Sequence, residues 1–201
     1  MSLPRRLVAA TKNTDKAREV RAVLAAVAPG VEVVAGADWP DVEESGDTLE
    51  ENALLKARAV AAATGLPALA DDTGLEVAAL DGAPGVRTAR FAGPGAGYAA
   101  NRRALLDTLQ GVADRRARFR TVVALVFPDG GEVLAEGVLE GRITTTERGS
   151  GGFGYDPVFE VAGQTLAEMG EDHKTRISHR ARALAALAAE GGARVPPGPP
   201  A

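Results

Sequence analysis

The opening 34 residues constrain the fold more than any other part of the chain. Leu7 to Ala10 is a short apolar run, the mark of a buried strand. It ends in the polar turn Thr11-Lys12-Asn13-Thr14-Asp15-Lys16. Val20, Val23, Leu24 and Val27 then recur at i, i+3, i+4 and i+7, the spacing of one helix face, and Pro29-Gly30 stops that helix. Val31 to Val34 reads as a second strand. Strand, helix, strand in this order favours parallel pairing and an α/β class.

The remaining signals extend that pattern. Residues 36–47 are an acidic loop carrying Asp38, Asp41, Glu43, Glu44 and Asp47. Thr48-Leu49-Glu50-Glu51 is a capping box, and the helix it opens closes at Gly65. Pro67 to Ala70 predicts a third short strand with Asp71-Asp72-Thr73-Gly74 at its end. Residues 81–97 read as a Gly- and Pro-rich loop and residues 98–110 as a helix. Arg118 to Phe127 is rich in β-branched residues and reads as a strand, joined by the turn Pro128-Asp129-Gly130-Gly131 to a strand over Glu132 to Leu139. Ser178 stands at the cap of a last helix, with Ile177, Leu184 and Leu187 on one side. The change from helix–strand alternation to a hairpin near residue 118 marks a candidate second lobe. Residues 1–190 are expected to form a single two-lobed domain, and residues 191–201 a flexible tail.

Composition removes several kinds of chemistry. There is no cysteine, so disulfides and thiolate ligands are absent, and two histidines are too few for a His-rich zinc site. A net charge of −4 gives no basic field for a nucleic acid polymer, and 4% aromatic residues leave little for stacking along a strand. No apolar run approaches the roughly 20 residues that span a bilayer, and the apolar run at the N-terminus is too short for a signal peptide. A cytoplasmic protein is the expectation.

Four clusters carry candidate chemistry. A strand end feeding a helix start presents N–H groups and a positive dipole end to an anion, and Lys12, Asn13 and Lys16 add side-chain donors. An ordinary polar turn fits the same residues, and the segment lacks the glycine-rich run of a P-loop. Asp71 and Asp72, with Glu43 and Glu44 earlier, form a second cluster; two carboxylates at a strand tip cannot both be cheaply ionised in a dry site unless a cation joins them. Mg²⁺ suits such carboxylates, and one of them could direct an attacking water. Turn chemistry is the other reading of Asp-Asp-Thr-Gly. Asn52 and Lys56 share a helix face, and Lys56 either reaches a phosphate or pairs with a glutamate. Residues 147–180 join a glycine-rich loop to Phe153-Gly154-Tyr155-Asp156, then to Lys174, His179 and Arg180. Phe153 and Tyr155 offer flat faces to a base. His179 and Arg180 occupy the first turn of a helix, where cations oppose the dipole, and that breach points either to a ligand or to surface charge.

The segments ATKNTDK, EESGDTLEENALLKA, LPALADDTGLEV, LDGAPGVRTARFAG, GGFGYDP and KTRISHR occur in order between Leu7 and Leu187. Together they resemble the inosine triphosphate pyrophosphatase family, the XTP/dITP diphosphatases. The resemblance implies an elongated α/β fold with a long mixed sheet, two lobes and a nucleotide cleft between them, usually as a homodimer. It implies Mg²⁺-dependent cleavage between the α and β phosphates of inosine, deoxyinosine and xanthosine triphosphates. Asp72 matches the catalytic carboxylate, acting on water and metal, and Glu43 or Glu44 the second metal-associated carboxylate. Thr11, Lys12, Asn13, Thr14, Asp15, Lys16, Lys56 and Thr73 match phosphate-side contacts. Phe153, Gly154, Tyr155, Asp156, Lys174, His179 and Arg180 match base-side and nucleotide contacts. Lys12 stands where the family commonly has glycine, and Thr73 replaces a commoner serine. The competing readings are a Maf-like pyrophosphatase acting on pyrimidine or modified nucleotides and a nucleotide-binding module without turnover.

Overall fold

A computed structural model describes residues 3–34 and 37–190. The elements in the first half of the chain are β1 (Arg6–Ala9), α1 (Thr14–Val27), β2 (Glu32–Val34), α2 (Leu49–Thr64), β3 (Ala68–Val77), β4 (Pro84–Gly85) and α3 (Tyr98–Thr108). They are followed by β5 (Arg116–Val126), β6 (Glu132–Ile143), β7 (Phe159–Val161), β8 (Gln164–Thr165), α4 (Glu171–Ile177) and α5 (His179–Glu190). The expected tail, 191–201, lies outside the described residues. Among the described residues the strands form one eight-stranded sheet in the order β2-β1-β3-β5-β6-β7-β8, with β4 paired to β3. The mixed α/β class expected from the opening segment is borne out. β1 runs parallel to β2, with Leu7 opposite Val33, and parallel to β3, with Val8 opposite Ala68. No helix among the described residues is long and apolar enough to cross a membrane.

The chain divides into two compact units. The first comprises the described residues within Met1–Asp72, Thr121–Gly137 and Arg180–Ala201. Its core gathers Leu7, Val20, Val23, Leu24, Leu69, Val123, Leu125, Leu184 and Leu187. The face of α1 read from the sequence is therefore the buried one, except at Val27, which is 38% exposed. Val27 is the last residue of α1, and the chain leaves it in a turn at Pro29-Gly30. Helix α2 starts and stops as the sequence predicts. The Thr48 hydroxyl accepts the Glu51 N–H at 3.1 Å, and the Glu51 carboxylate accepts the Thr48 N–H at 3.2 Å. Gly65 ends the helix at φ +65°. Thr48→Ala should cost about 1 kcal/mol through the lost cap. The readout is the urea midpoint at unchanged m-value, and an unmoved midpoint would contradict a stabilising cap.

The second unit comprises Thr73–Arg120 and Val138–His179. Leu75, Val77, Leu105, Leu109, Phe119, Leu139, Ile143, Tyr155, Phe159 and Leu166 form its core. The Phe119 and Phe159 rings meet at 4.6 Å between centroids, tilted by 46°. Buried Arg115 is satisfied by backbone alone, donating to the carbonyls of Leu109, Ile143 and Thr144 at 2.9, 2.7 and 2.6 Å. Such pairing offsets part of the cost of burying the guanidinium, whose charge burial still disfavours.

Three elements differ from the sequence reading. β3 does not stop before Asp71 but runs on to Val77. Its partner at that end is β4, with Leu75 opposite Gly85, and an added Cβ on Gly74 would meet the Gly85 carbonyl oxygen at 3.1 Å. The close backbone approach needs glycine there, so Asp-Asp-Thr-Gly is strand rather than turn. β6 continues past Leu139 to Ile143 because β7 pairs with that extension, Ile143 opposite Phe159. Ile177 lies on α4, ahead of the last helix, and packs against the second core, while Leu184 and Leu187 pack in the first.

Candidate active site

In the first unit, one polar network joins β3, α1, α2, α5 and the acidic loop. Asp71 and Asp72 lie on β3 and are both buried. The Asp71 Oδ2 accepts from Arg180 Nη2 at 3.0 Å and Nε at 3.2 Å, and Lys16 Nζ lies 3.2 Å away. Arg180, 1% exposed, also donates to Glu19. Burial pushes the Asp71 carboxyl up, but Lys16 and Arg180 outweigh it and hold the group well below the usual carboxylate range. Asp71 is thus a fixed anion that organises two cations.

Asp72 has a different environment. Burial pushes its carboxyl above the usual range; Lys56 and Lys16 oppose the shift, and the negative charges of Glu44 and Asp71 add to it. Lys56 lies 3.3 Å from Asp72 Oδ1 but donates more closely to Glu44 Oε1 at 2.7 Å and the Asp71 carbonyl at 2.8 Å. Burial penalises the Lys56 ammonium, yet Asp72, Asp71 and Glu44 raise its affinity for its proton. Two neighbouring carboxylates whose proton affinities are pushed in opposite directions are the pattern of an acid–base site.

The acidic loop is pinned from α2. Asn52, 1% exposed, accepts the Gly46 N–H at 2.8 Å and donates to the Gly46 carbonyl at 3.2 Å. That anchor stands two residues from Glu44. Glu43 is exposed, so of the two glutamates it is Glu44 that meets Lys56. The N-terminal turn is less open to an anion than its sequence implies. The Asn13 side chain accepts the Asp15 and Lys16 N–H groups at 3.0 and 3.1 Å, capping α1. Asn13 takes the Thr11 hydroxyl as its own N–H acceptor at 3.2 Å. Asp15 pairs with Arg18 at 3.2 Å, Lys12 with Asp41 at 2.5 Å across an exposed contact, and Thr14 is exposed. From this segment Lys16 reaches the Asp71 network.

The second unit gathers the remaining candidates around the glycine-rich loop. Thr73 is half-buried at the start of its share of β3. Asp156 is buried and accepts from the Phe153 N–H and from Lys174 Nζ, both at 2.7 Å. Lys174 Nζ also stands 4.8 Å above the Phe153 ring. Gly152 has φ +70°, and a Cβ there would collide with the Asp156 carboxylate. Phe153 is half-buried. The Tyr155 ring is in the core, its hydroxyl donates to the Thr88 carbonyl at 2.9 Å, and burial pushes that hydroxyl's pKa upward. His179 stacks on Phe119 at 4.7 Å between centroids.

Sequence reasoning missed Glu19 and the loop anchor role of Asn52. Glu19 carried a weak signal, one helical turn after Lys16. The Arg180 cation at the start of α5 has partners within the protein: it faces Asp71 and Glu19, whose charges offset the dipole.

Residues 7–190 match the model of the Ham1 family. A dITP/XTP pyrophosphatase of Symbiobacterium thermophilum is 53% identical over 184 residues, covering 90% of this chain and 92% of that protein. One of Syntrophobacter fumaroxidans is 51% identical over 189 residues, covering 92% of this chain and 81% of the relative. Among solved structures, a HAM1 protein from Coxiella burnetii superposes with a TM-score of 0.83 at 40% identity, covering 92% of this chain and 97% of that one. A nucleoside-triphosphatase (dITP/XTP pyrophosphatase) from Mycobacterium abscessus gives a TM-score of 0.71 at 42% identity, covering 90% and 97%. These matches span the motifs that carried the resemblance in sequence, and the chain belongs to the Ham1 family.

Proposed function

We propose that the protein hydrolyses the noncanonical purine nucleoside triphosphates ITP, dITP and XTP to monophosphate and pyrophosphate, clearing them from the nucleotide pool. The observation that carries this reading is the Glu44–Lys56–Asp72 network, two carboxylates around one ammonium in a partly buried setting. The extent of identity to dITP/XTP pyrophosphatases supports it. Asp72, with its raised proton affinity, takes the proton of the attacking water at the α-phosphorus. Lys56 and Lys16 meet the negative charge that grows on the leaving pyrophosphate.

The donor set fits Mg²⁺. Among the described residues no group of three or more acidic or histidine side chains is arranged to hold an ion. Mg²⁺ needs only one or two carboxylates with water and substrate phosphates, and Glu44 and Asp72 already share a cation in Lys56. Glu44 and Asp72 would hold Mg²⁺, which would supply charge neutralisation to the phosphate oxygens.

Base recognition falls to Phe153, which offers a stacking face, and to Lys174, whose ammonium is a pure donor. A donor suits the 6-oxo group of inosine and xanthosine and mispairs with the 6-amino group of adenine. The family resemblance further motivates a homodimer and a cytoplasmic location. Sedimentation at twice the chain mass checks the first, and fractionation of cells producing the protein the second.

The test is incubation with Mg²⁺ and ITP, XTP, GTP, ATP or dTTP separately, followed by product identification. Monophosphate and pyrophosphate from ITP and XTP should exceed those from ATP and GTP by about tenfold or more in kcat/KM. Orthophosphate as the product, a preference for dTTP, or binding without turnover would each overturn the reading.

A further inference from the structure

Phe153 sits on a loop that cannot hold it unaided. Gly152 and Gly154 flank it at φ +70° and +60°. Glycine loses more conformational freedom on ordering than any other residue, so a ring between two of them needs external bracing. Two braces come from the site already described: the Asp156 carboxylate on the Phe153 N–H and the Lys174 ammonium over the ring.

Helix α3 supplies two more. Tyr98 and Arg102 are four residues apart and therefore share one face of α3. The Tyr98 ring lies 6.0 Å from the Phe153 ring between centroids, tilted by 43°. Arg102 Nη1 donates to the Gly154 carbonyl at 2.9 Å, on the residue directly after Phe153. Arg102 Nε lies 3.0 Å from Glu147 Oε1 but off the hydrogen-bond direction, an ion pair by distance alone. Tyr98 is 41% exposed, so its ring adds little to the core. That exposed ring meets Phe153.

We infer that Tyr98 and Arg102 are positioning residues for nucleobase binding, fixing the tilt of the Phe153 ring and the path of its loop from helix α3. The inference rests on Phe153 being the surface against which the base stacks. A ring and loop held in the bound geometry beforehand spare binding the cost of ordering them. Loosening Phe153 should therefore weaken nucleotide binding and leave the phosphate chemistry alone.

The experiment measures KM and kcat for ITP, together with inhibition by tripolyphosphate, which carries no base. It compares Tyr98→Ala, Arg102→Leu, Tyr98→Phe, Arg102→Lys and Phe153→Ala. Tyr98→Ala and Arg102→Leu should each raise KM by about 5- to 20-fold, with kcat and the tripolyphosphate inhibition constant within about twofold of the parent. Tyr98→Phe keeps the ring and should keep the parent KM; Arg102→Lys keeps one donor and should recover part of the loss. If Phe153→Ala raises KM and the two α3 variants do not, the positioning role is overturned while the base-side reading stands. If Phe153→Ala leaves KM unchanged, the base-side reading falls and takes this inference with it. A loss of kcat and of tripolyphosphate inhibition in step with KM would show general damage and overturn the assignment as well.

Discussion

Asp72→Asn should lower kcat by about a thousandfold, roughly 4 kcal/mol of barrier, while the protein stays folded. The size follows from the assigned role: an amide cannot take the proton of an attacking water, and it weakens the anionic half of a carboxylate pair. The retained fold follows from the surroundings. Asp72 is a buried carboxyl whose proton affinity is raised, so its charge is not a source of stability. Lys56 keeps Glu44 and the Asp71 carbonyl as acceptors, so no cation is orphaned by the change. Steady-state kinetics with ITP and a urea titration read the two halves of this result. A near-parental kcat would remove Asp72 from the chemistry.

Arg180→Ala should act on stability, at a cost of about 3–5 kcal/mol, the range for removing one partner of a buried ion pair. Arg180 is 1% exposed and supplies two donors to Asp71 and one to Glu19. The alanine variant leaves the Asp71 carboxylate buried beside Lys16, which is insufficient to replace a two-pronged guanidinium. Activity in the folded fraction should fall for ITP and ATP alike, because the change disturbs β3 under the Asp72 site rather than a base contact. Denaturant titration and the ITP/ATP ratio of kcat/KM decide it. Unchanged stability with an altered ratio would return Arg180 to reading the base.

The asymmetry between what the sequence made legible and what it hid is physical. Local rules act within a few residues, so the buried face of α1, the Thr48–Glu51 box and the Gly65 stop could all be read directly. Asp-Asp-Thr-Gly was ambiguous because its state depends on β4, whose Gly85 must approach Gly74 from a later segment. Arg180 looked like a breach of the helix dipole because its partner Asp71 is 109 residues away. The choice between Glu43 and Glu44 needed the loop's path, which Asn52 fixes through Gly46. Tyr155, aromatic and two residues after Phe153, gave no sign in sequence that its ring belongs to the core. The family motifs carried the identity of the clusters, and tertiary pairing determined which of their members meet.

The most direct test of the central claim is hydrolysis of ITP in ¹⁸O-labelled water with Mg²⁺, followed by mass analysis of both products. Water directed by Asp72 at the α-phosphorus predicts one labelled oxygen in the monophosphate and unlabelled pyrophosphate. Label in the pyrophosphate, or release of labelled orthophosphate, would contradict it.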